Sequence, residues 1–501
     1  MSDHSLGSTD GALTLNGGVL QTVLNVNSDR RFNLTAESLN GGILTDGDLT
    51  LTNVISGVGG LKKTGNATLI LGGQNDYTGR TIISSGNLFL TGEGGIEHSE
   101  SVELSKGTSL NISSTTGGTM VNNLTGDEGS HVVLGDRFLT VNSLADSVFS
   151  GEFGAEGETG GLLKTGAASF TLAGQNNYTG DTTVSAGKLS LSGDSNIEKS
   201  GNVRLNRDAT LDISATTNGT MVNNLTGDEG SHVVLGDRFL TVNSLADSVF
   251  SGEFGAEGET GGLLKTGAAS FTLAGQNNYT GDTTVSAGKL SLSGDSNIEK
   301  SGNVRLNRDA TLDISATTNG TMVNNLTGDE GSHVVLGDRF LTVNSLADSV
   351  FSGEFGAEGE TGGLLKTGAA SFTLAGQNNY TGDTTVSAGK LSLSGDSNIE
   401  KSGNVRLNRD ATLDISATTN GTMVNNLTGD EGSHVVLGDR LLTVNSLADS
   451  VFSGEISGNG SLIKKGQGDM TLDGINSYQG ITRIDQGNLR INSDQSLGGG
   501  E

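Results

Sequence analysis

The sequence predicts an all-β solenoid, a parallel β-helix with almost no helical content. Three observations predict it: long stretches of text recur every 101 residues, apolar and polar residues alternate in short runs, and the 501 residues include 80 glycines but no proline. Short strands in a repeat cannot bury their own apolar face, so each repeat must stack on its neighbours. A solenoid follows rather than a set of separate domains.

The repeat is the first element of this prediction. The same text, MVNNLTGDEGSHVVLGDR, opens at four methionines, which are Met120, Met221, Met322 and Met423. The last copy changes Phe to Leu at Leu441 and loses three residues after Gly454. We therefore predict one continuous β-helix over residues 1–501, made of a divergent first copy (1–119), three identical copies (120–220, 221–321 and 322–422) and a partial, divergent last copy (423–501).

A shorter signature lies in every copy and contains all five tyrosines: Tyr77, Tyr178, Tyr279, Tyr380 and Tyr478. It reads G-x-L-x-K-x-G, then L-x-G-x-N-x-Y-x-G, then a β-branched pair, a glycine and L-x-L. In the first copy it comprises Leu61, Lys63, Gly65, Leu71, Gly73, Asn75, Tyr77, Gly79, Gly86, Leu88 and Leu90. In the last copy it comprises Leu462, Lys464, Gly466, Leu472, Gly474, Asn476, Tyr478, Gly480, Gly487, Leu489 and Ile491.

The alternation of apolar and polar residues predicts strands. A period of two in runs of four to six residues is typical of a strand and not of a helix. Residues predicted to face the core of the first identical copy are Phe170, Leu172, Val184, Leu189, Leu191, Val203, Leu205, Leu211 and Ile213, with Arg204 and Asp212 on the opposite face. Glycine, Asn and Asp between the runs supply sharp corners. We expect about ten strands per copy and about 20 to 25 residues per turn.

The missing residue types support the same fold. Strands stacked on both edges need their N–H groups, which explains the absence of proline. A β-sandwich in each copy is the structural alternative, but the glycines are too dense and long hydrophobic strands are missing. Without proline or a G-X-Y period the chain is not collagen, and without cysteine it holds neither disulfides nor thiolate zinc sites.

The charge balance restricts the possible partners. There are 57 acidic and 29 basic residues, so 57 − 29 leaves a net charge of −28. Such a chain repels nucleic acid and anionic membrane surfaces. No run of about 18 apolar residues predicts a membrane-spanning helix. The start, Met1 to Asp10, does not read as a secretion signal, so we expect the sequence to be a piece of a longer protein.

The signature resembles the passenger-associated transport repeat of bacterial autotransporters, the type V secretion family. About 32 residues in each of the five copies carry the resemblance, and the text between them resembles generic passenger β-helix. The resemblance implies a right-handed parallel β-helix that is exported through the outer membrane by a C-terminal β-barrel. It also implies display at the cell surface or outside the cell, anchored in the outer membrane in the full-length protein, commonly as an adhesin or self-association factor.

Two patterns in the sequence are candidates for catalysis or metal binding. Gly193-Asp194-Ser195 resembles a hydrolase GDS signature, but no histidine accompanies it at a consistent offset, so a structural turn is favoured. It recurs at Gly294-Asp295-Ser296 and Gly395-Asp396-Ser397. One histidine per copy cannot make a metal site, which favours solvated or strand-edge histidines. These histidines are His131, His232, His333 and His434.

The remaining polar candidates also favour structural roles. Asp127 and Glu128, with counterparts at Asp228, Asp329 and Asp430, favour a solvated turn over a calcium site because EF-hand and nonapeptide spacings are absent. Glu152, Glu156 and Glu158 lie in a predicted corner loop that tolerates deletion. Arg137 and Arg207 look isolated. The signature residues Lys164 and Tyr178 are predicted to connect neighbouring turns.

The sequence therefore predicts a non-enzymatic, repetitive surface adhesin or self-association stalk with no cofactor, no metal and no catalytic residue. Its binding residues remain unknown at this point. The expected partner is a host surface receptor or glycan, or the same protein on a neighbouring cell, with no nucleic acid and with membrane contact only through a translocator barrel outside this sequence. Two alternatives stay open: a stem that carries an enzyme domain elsewhere, and a polysaccharide-cleaving β-helix.

Overall fold

The computed structural model describes residues 6–8, 10–35 and 42–499, and it is built of short parallel strands. Every pairing among the described strands is parallel, for example Leu162 beside Thr182 and Phe170 beside Leu189. Beyond Leu13, the helical structure in the described chain amounts to one 3-10 turn at Asp494–Ser496. The predicted all-β parallel β-helix is confirmed and the β-sandwich alternative is excluded. The right-handed winding stays a prediction.

The strands are two to seven residues long. Those before the first identical copy are Leu13–Leu15, Val19–Thr22, Val26–Ser28, Phe32–Leu34, Gly42–Thr45, Leu49–Leu51, Ile55–Gly57, Leu61–Thr64, Thr68–Leu71, Thr81–Ile83, Asn87–Gly92, Val102–Leu104, Ser109–Thr115 and Thr119–Asn122. Those that follow, up to the second identical copy, are Leu124–Gly126, His131–Val133, Phe138–Asn142, Ser147–Phe149, Glu152–Phe153, Gly161–Thr165, Ser169–Leu172, Thr182–Val184, Lys188–Gly193, Val203–Leu205, Thr210–Thr216 and Thr220–Asn223.

The later copies repeat this order. The second identical copy contains Thr226–Gly227, His232–Val234, Phe239–Asn243, Ser248–Phe250, Glu253–Phe254, Gly262–Thr266, Ser270–Leu273, Thr283–Val285, Lys289–Gly294, Val304–Leu306, Thr311–Thr317 and Thr321–Asn324. The third contains Thr327–Gly328, His333–Val335, Phe340–Asn344, Ser349–Phe351, Glu354–Phe355, Gly363–Thr367, Ser371–Leu374, Thr384–Val386, Lys390–Gly395, Val405–Leu407, Thr412–Thr418 and Thr422–Asn425. The last contains Thr428–Gly429, His434–Val436, Leu442–Asn445, Ser450–Phe452, Glu455–Ser457, Leu462–Lys465, Met470–Leu472, Thr482–Ile484 and Leu489–Ile491.

The strands form two compact units. The first comprises Met1–Asn243 and Phe250–Ala256, and the second comprises Ser244–Val249 and Glu257–Glu501. In the first unit a twelve-stranded sheet extends from Val19–Thr22 to Glu253–Phe254. In the second unit a nine-stranded sheet extends from Thr321–Asn324 to Leu489–Ile491. Each unit is thus a β-helix of long parallel sheets.

Residues that pair in neighbouring turns are 19 to 23 apart in sequence, as Ser169 with Lys188 and Phe138 with Gly161 illustrate. The shortest turns fall just below the predicted range. The turn from Ser169 to Lys188 is one of these, and it contains two strands instead of three. The corners use the predicted residue types, since Asn123 and Asp208 adopt positive φ angles of 45° and 64° beside many glycines.

The core lies inside this winding. All nine residues predicted to face inward in the first identical copy are buried, from Phe170 to Ile213. Arg204 is exposed between Val203 and Leu205, as the alternation predicts. The strands bury apolar side chains on one face in every turn, so each turn depends on the turns on either side of it.

Each 101-residue step advances the winding by four and two-thirds turns. In the first unit the strand Leu61–Thr64 connects through four successive pairings in one sheet to Ser147–Phe149. Its counterpart in the next copy, Gly161–Thr165, comes two strands later and pairs in another sheet with Phe138–Asn142. Since a full turn here has three strands, two strands are two-thirds of a turn. Equivalent residues in consecutive copies therefore lie on different faces.

Candidate functional site

The signature lysine is buried inside the β-helix. Lys164 has no exposed surface and lies on the inward face of its strand beside Leu162. Its ammonium group donates to three backbone carbonyls, those of Thr165 at 2.7 Å, Gly166 at 2.9 Å and Ala186 at 3.1 Å. Two of these carbonyls belong to one corner and the third to the corner of the next turn. The lysine therefore connects two turns, as the sequence predicts.

Burial lowers the pKa of this lysine in four copies. The pKa falls from its ordinary value of 10.5 to about 8 at Lys63, Lys164, Lys265 and Lys366. The cause is desolvation of the ammonium group, which the negative charge of Asp48 partly offsets at Lys63. In the last copy the pKa of Lys464 is lowered for the same reason. The groups still carry most of their charge at neutral pH, where they donate to the carbonyls.

We expect a class of lysines that titrates near pH 8 in the folded protein. Between about pH 8 and pH 10.5 the folded state binds fewer protons than the unfolded state, so the free energy of unfolding rises with pH in that window. NMR titration of lysine Cε resonances checks the first point, and unfolding midpoints at pH 7.5 and 9.5 check the second. The substitution K366M removes one low-pKa signal. Titration of every lysine near 10.5 would contradict the prediction.

The signature tyrosine and asparagine are also internal. Tyr178 is 1% exposed, and its hydroxyl lies 2.7 Å from Thr182 Oγ1, which lies 2.9 Å from Ser200 Oγ on the next turn. Burial raises the pKa of Tyr178 above its ordinary value. Asn176 Nδ2 donates to Ser195 Oγ at 2.9 Å and to the Asn196 carbonyl at 2.8 Å. The signature side chains thus connect neighbouring turns and stabilise the winding.

The outer surface carries a polar groove that the sequence analysis missed. In the second unit a groove of about 990 Å³, here called the Asp329 groove, is lined by the corner Thr327–Gly331, by Val350 and by the region of Glu354. A second groove of about 1110 Å³, the Asp430 groove, is lined by the corresponding corner and strands of the last copy, with Asp469, Asp473 and Arg490 as additional charged residues. Both grooves are open to solvent and belong to the same compact unit.

Acidic groups dominate these grooves. The Asp329 groove contains four carboxylates, Asp329, Glu330, Asp348 and Glu354, against one arginine, Arg305. Arg305 Nη2 lies 3.1 Å from Asp329 Oδ1 and so neutralises one of them. The half-exposed apolar side chain of Val350 also lines the groove. The surface therefore favours positively charged groups, and it does so in each of the two grooves.

A ladder of polar side chains begins at the edge of the Asp329 groove. His333 Nδ1 lies 3.1 Å from Glu354 Oε2, Asn379 Nδ2 donates to Glu354 Oε1 at 2.7 Å, and Lys401 Nζ donates to Asn379 Oδ1 at 2.9 Å. The first unit has the same ladder at His131, Glu152, Asn177 and Lys199. The spacing of 21 to 25 residues between neighbours, about one turn, is the signal that could have predicted it.

The GDS pattern and the histidines have structural surroundings. Ser195 is 2% exposed and lies just after a strand end, where its Oγ accepts from Asn176, so the turn prediction is confirmed. His131 begins its strand, and its Nδ1 lies 3.0 Å from Glu152 Oε2, in agreement with the strand-edge prediction. Within the described residues, no histidine forms a hydrogen bond with Ser195.

The acidic corner is a solvated turn. Ser130 donates to the Asp127 carbonyl through its backbone N–H at 3.0 Å and its hydroxyl at 2.7 Å, and Asp127 itself is exposed. Within residues 6–8, 10–35 and 42–499, no group of three or more His, Cys, Asp or Glu side chains is arranged to hold a metal ion.

The prediction on two arginines needs correction. The arginines called isolated are paired: Arg137 Nη1 lies 3.4 Å from Asp136 Oδ2, and Arg207 Nη2 lies 3.7 Å from Glu229 Oε2. Arg207 and Glu229 lie one turn apart, a proximity that only the register reveals. The loop residue Glu158 is also structural, because its Oε2 accepts from the Leu134 and Ala155 backbone N–H groups at 2.9 Å each.

The two grooves of the second unit face different directions. Arg305, Thr327 and Val350 lie on strands of one sheet, and successive pairings in that sheet lead to the strand of His434. In the Asp329 groove this sheet carries Val350, whereas in the Asp430 groove it carries His434. Val451, which corresponds to Val350 in the second groove, lies in the nine-stranded sheet. The second groove is thus rotated about the winding axis by one face of the β-helix relative to the first.

Comparison with known proteins agrees with the signature. A family model described as passenger-associated-transport-repeat matches five stretches, residues 61–88, 162–191, 263–292, 364–393 and 462–491. The chain is 31% identical over 504 residues to the Adhesin BmaC autotransporter of Brucella suis biovar 1 (strain 1330), a match that covers 93% of this chain and 14% of that protein. It is 29% identical over 156 residues to the Uncharacterized lipoprotein YdeK of Escherichia coli (strain K12), covering 31% of this chain and 11% of that protein.

The chain spans less than a sixth of the length of either relative. No solved structure matches it. Among the described residues, no helix is both long and apolar enough to cross a membrane.

Proposed function

Because this chain is a stretch of autotransporter passenger built on passenger-associated transport repeats, we propose that it acts as a non-enzymatic adhesin displayed at the cell surface. In the full-length protein, segments outside this chain anchor it in the outer membrane. The printed name of the Brucella relative, an adhesin autotransporter, supports this function. The observation that carries it is the recurrence of one acidic groove on a rigid β-helical scaffold.

Recurrent weak sites suit adhesion. Each groove offers an open, solvated surface whose charged side chains are only half-buried, so a single contact is weak. Linked weak contacts raise the overall affinity by about 10² to 10⁴ without new chemistry. The excess of carboxylates selects a partner with positive charges, and the net charge of −28 opposes close contact between two copies of the chain at low salt.

The role of a catalyst is not supported by the side chains that meet in the grooves. The charged and titratable side chains that line the Asp329 groove are four carboxylates, one arginine and one histidine, and the histidine and the arginine each already contact a carboxylate. Catalytic sites bring a nucleophile or an acid–base pair together with a perturbed pKa. In the described chain the lysines and tyrosines with strongly shifted pKa values lie inside the winding, away from both grooves. In the Asp430 groove, hydrogen bonds from Asn488 and Arg490 lower the pKa of Asp469, which keeps that carboxylate charged.

We expect adhesion to depend on the number of copies. Residues 221–321 and 322–422 can be deleted singly or together without creating a new junction, because the copies are identical. Beads coated with each variant are counted on fixed epithelial cells, on extracellular matrix and on each other, at low and at high salt. Binding to the polymeric extracellular matrix should fall at least tenfold for each copy lost and weaken with salt. Equal binding by all variants would contradict the adhesive function and would indicate that the repeats act only as a spacer.

A matched control separates groove charge from total charge. The variant D329N/E330Q removes two charges from the groove, whereas D295N/E299Q removes two from another exposed corner, in the preceding copy. Loss of adhesion in the first variant alone supports the groove as the contact surface. Equal loss in both would point to non-specific attraction by the acidic chain.

A further inference from the structure

The four and two-thirds turns in each copy have a consequence for multivalent binding. The Asp329 and Asp430 grooves contain equivalent residues, yet they lie on different faces of the second unit. Along the winding axis, four and two-thirds turns at about 4.8 Å per turn separate them by about 22 Å. A third of a turn about the axis separates the directions in which they open.

A flat partner surface cannot meet both grooves. When one groove faces a plane, the other opens about 120° away from that direction, and the body of the β-helix lies between it and the plane. A flexible chain has no such restriction. About 30 Å of extended chain reaches from one groove to the next around the corner, which is the length of about ten residues of polypeptide.

We propose that neighbouring copies of this protein cooperate in binding a flexible polymeric partner that passes around the β-helix from face to face, and that they do not cooperate in binding a flat surface. This inference rests on the proposed adhesive function. It names the kind of partner that fits: an extended, flexible chain with recurring contact groups. Because of the same geometry, neighbouring copies bind a planar array of receptors independently of each other.

The rotation itself can be measured by distances between spin labels, since the chain has no native cysteine. Val350 and Val436 are connected by four successive register pairs across one sheet, so the distance between their backbones should be about 19 Å. Val350 and Val451 are equivalent residues of consecutive copies on different sheets. Their labels point away from each other and should lie about 30 Å apart. A distance of about 22 Å would mean that the copies share a face, and it would overturn the proposal.

The binding test uses an antibody fragment against the corner Thr327–Ser332, where Glu330 is exposed and whose sequence recurs in the other copies. In the full chain, E128R and E229R remove the two epitopes outside the last pair, and E330R added to these leaves a single epitope. Two fragments joined by a long flexible linker should bind the two-epitope variant at least tenfold more tightly than the one-epitope variant.

On a flat, dense layer of rigidly coupled fragments, the two variants should dissociate at rates within twofold of each other. If the two-epitope variant stays on the flat layer tenfold longer, neighbouring grooves do face one plane and the proposal is wrong. If the linked fragments gain nothing from the second epitope, it is wrong as well. Neither result depends on the natural partner, so failure of the adhesive function remains distinguishable from failure of this geometry.

Discussion

The substitution F355A should lower the local free energy of unfolding by about 3 to 5 kcal/mol, the cost of emptying a large aromatic site in a close-packed core. Phe355 is fully buried. Its ring centroid lies 5.9 Å from that of Phe351, 6.4 Å from Phe372 and 5.7 Å from Tyr380, all in edge-to-face arrangements. Because these rings come from consecutive turns, the cavity would loosen several turns at once.

Native-state hydrogen exchange measures this loss in a repeat protein, where global unfolding need not be two-state. Protection should fall in the turns that contain Val334 and Asn378, which pair with Phe355 on either side. The matched control is F340A in the same copy. Phe340 is 42% exposed, and the last copy already has Leu441 at this position, so its cost should stay near 1 kcal/mol. Equal costs would contradict the assignment of the core.

The sequence was sufficient for most of the fold because the inward pattern is local. The alternation from Phe170 to Ile213 assigns each side chain to a face, and the structure buries all of them. Comparison of copies also identified Lys164 and Tyr178 as internal connections, because residues that survive divergence in the first and last copies maintain the winding. The corners were recognisable from Gly, Asn and Asp alone.

The grooves and their orientation could not be read in the same way. Glu354 reaches His333 only because 21 residues make one turn at that point, whereas other turns have 19 to 23 residues. Loops of different length decide the register, and the alternation pattern does not report loop length. The same uncertainty hid the pairing of Arg207 with Glu229 and the rotation between copies, since the number of strands in each turn varies.

The substitution G389A should strongly destabilise the β-helix. Gly389 has a φ of 65°, and a Cβ there would lie 2.4 Å from the Gly368 carbonyl oxygen and 2.7 Å from that of Ala370. Both are backbone atoms of the preceding turn and cannot rotate away. The Gly368 oxygen also accepts from Lys366 Nζ at 2.9 Å. The methyl group therefore forces apart two turns at the point where the buried lysine connects them.

The control G395A isolates the contact from the backbone strain. Gly395 has a φ of 60°, but a Cβ there meets nothing within 4 Å. It should cost only the left-handed conformation, about 1 to 2 kcal/mol, whereas G389A should cost at least about 3 kcal/mol. The NMR titration adds a specific readout, because displacement of the Gly368 carbonyl should shift the Lys366 signal in G389A and leave it unchanged in G395A. Equal destabilisation with an unchanged Lys366 signal would show that the turns tolerate the methyl group, and the glycine would then be required for its φ angle alone.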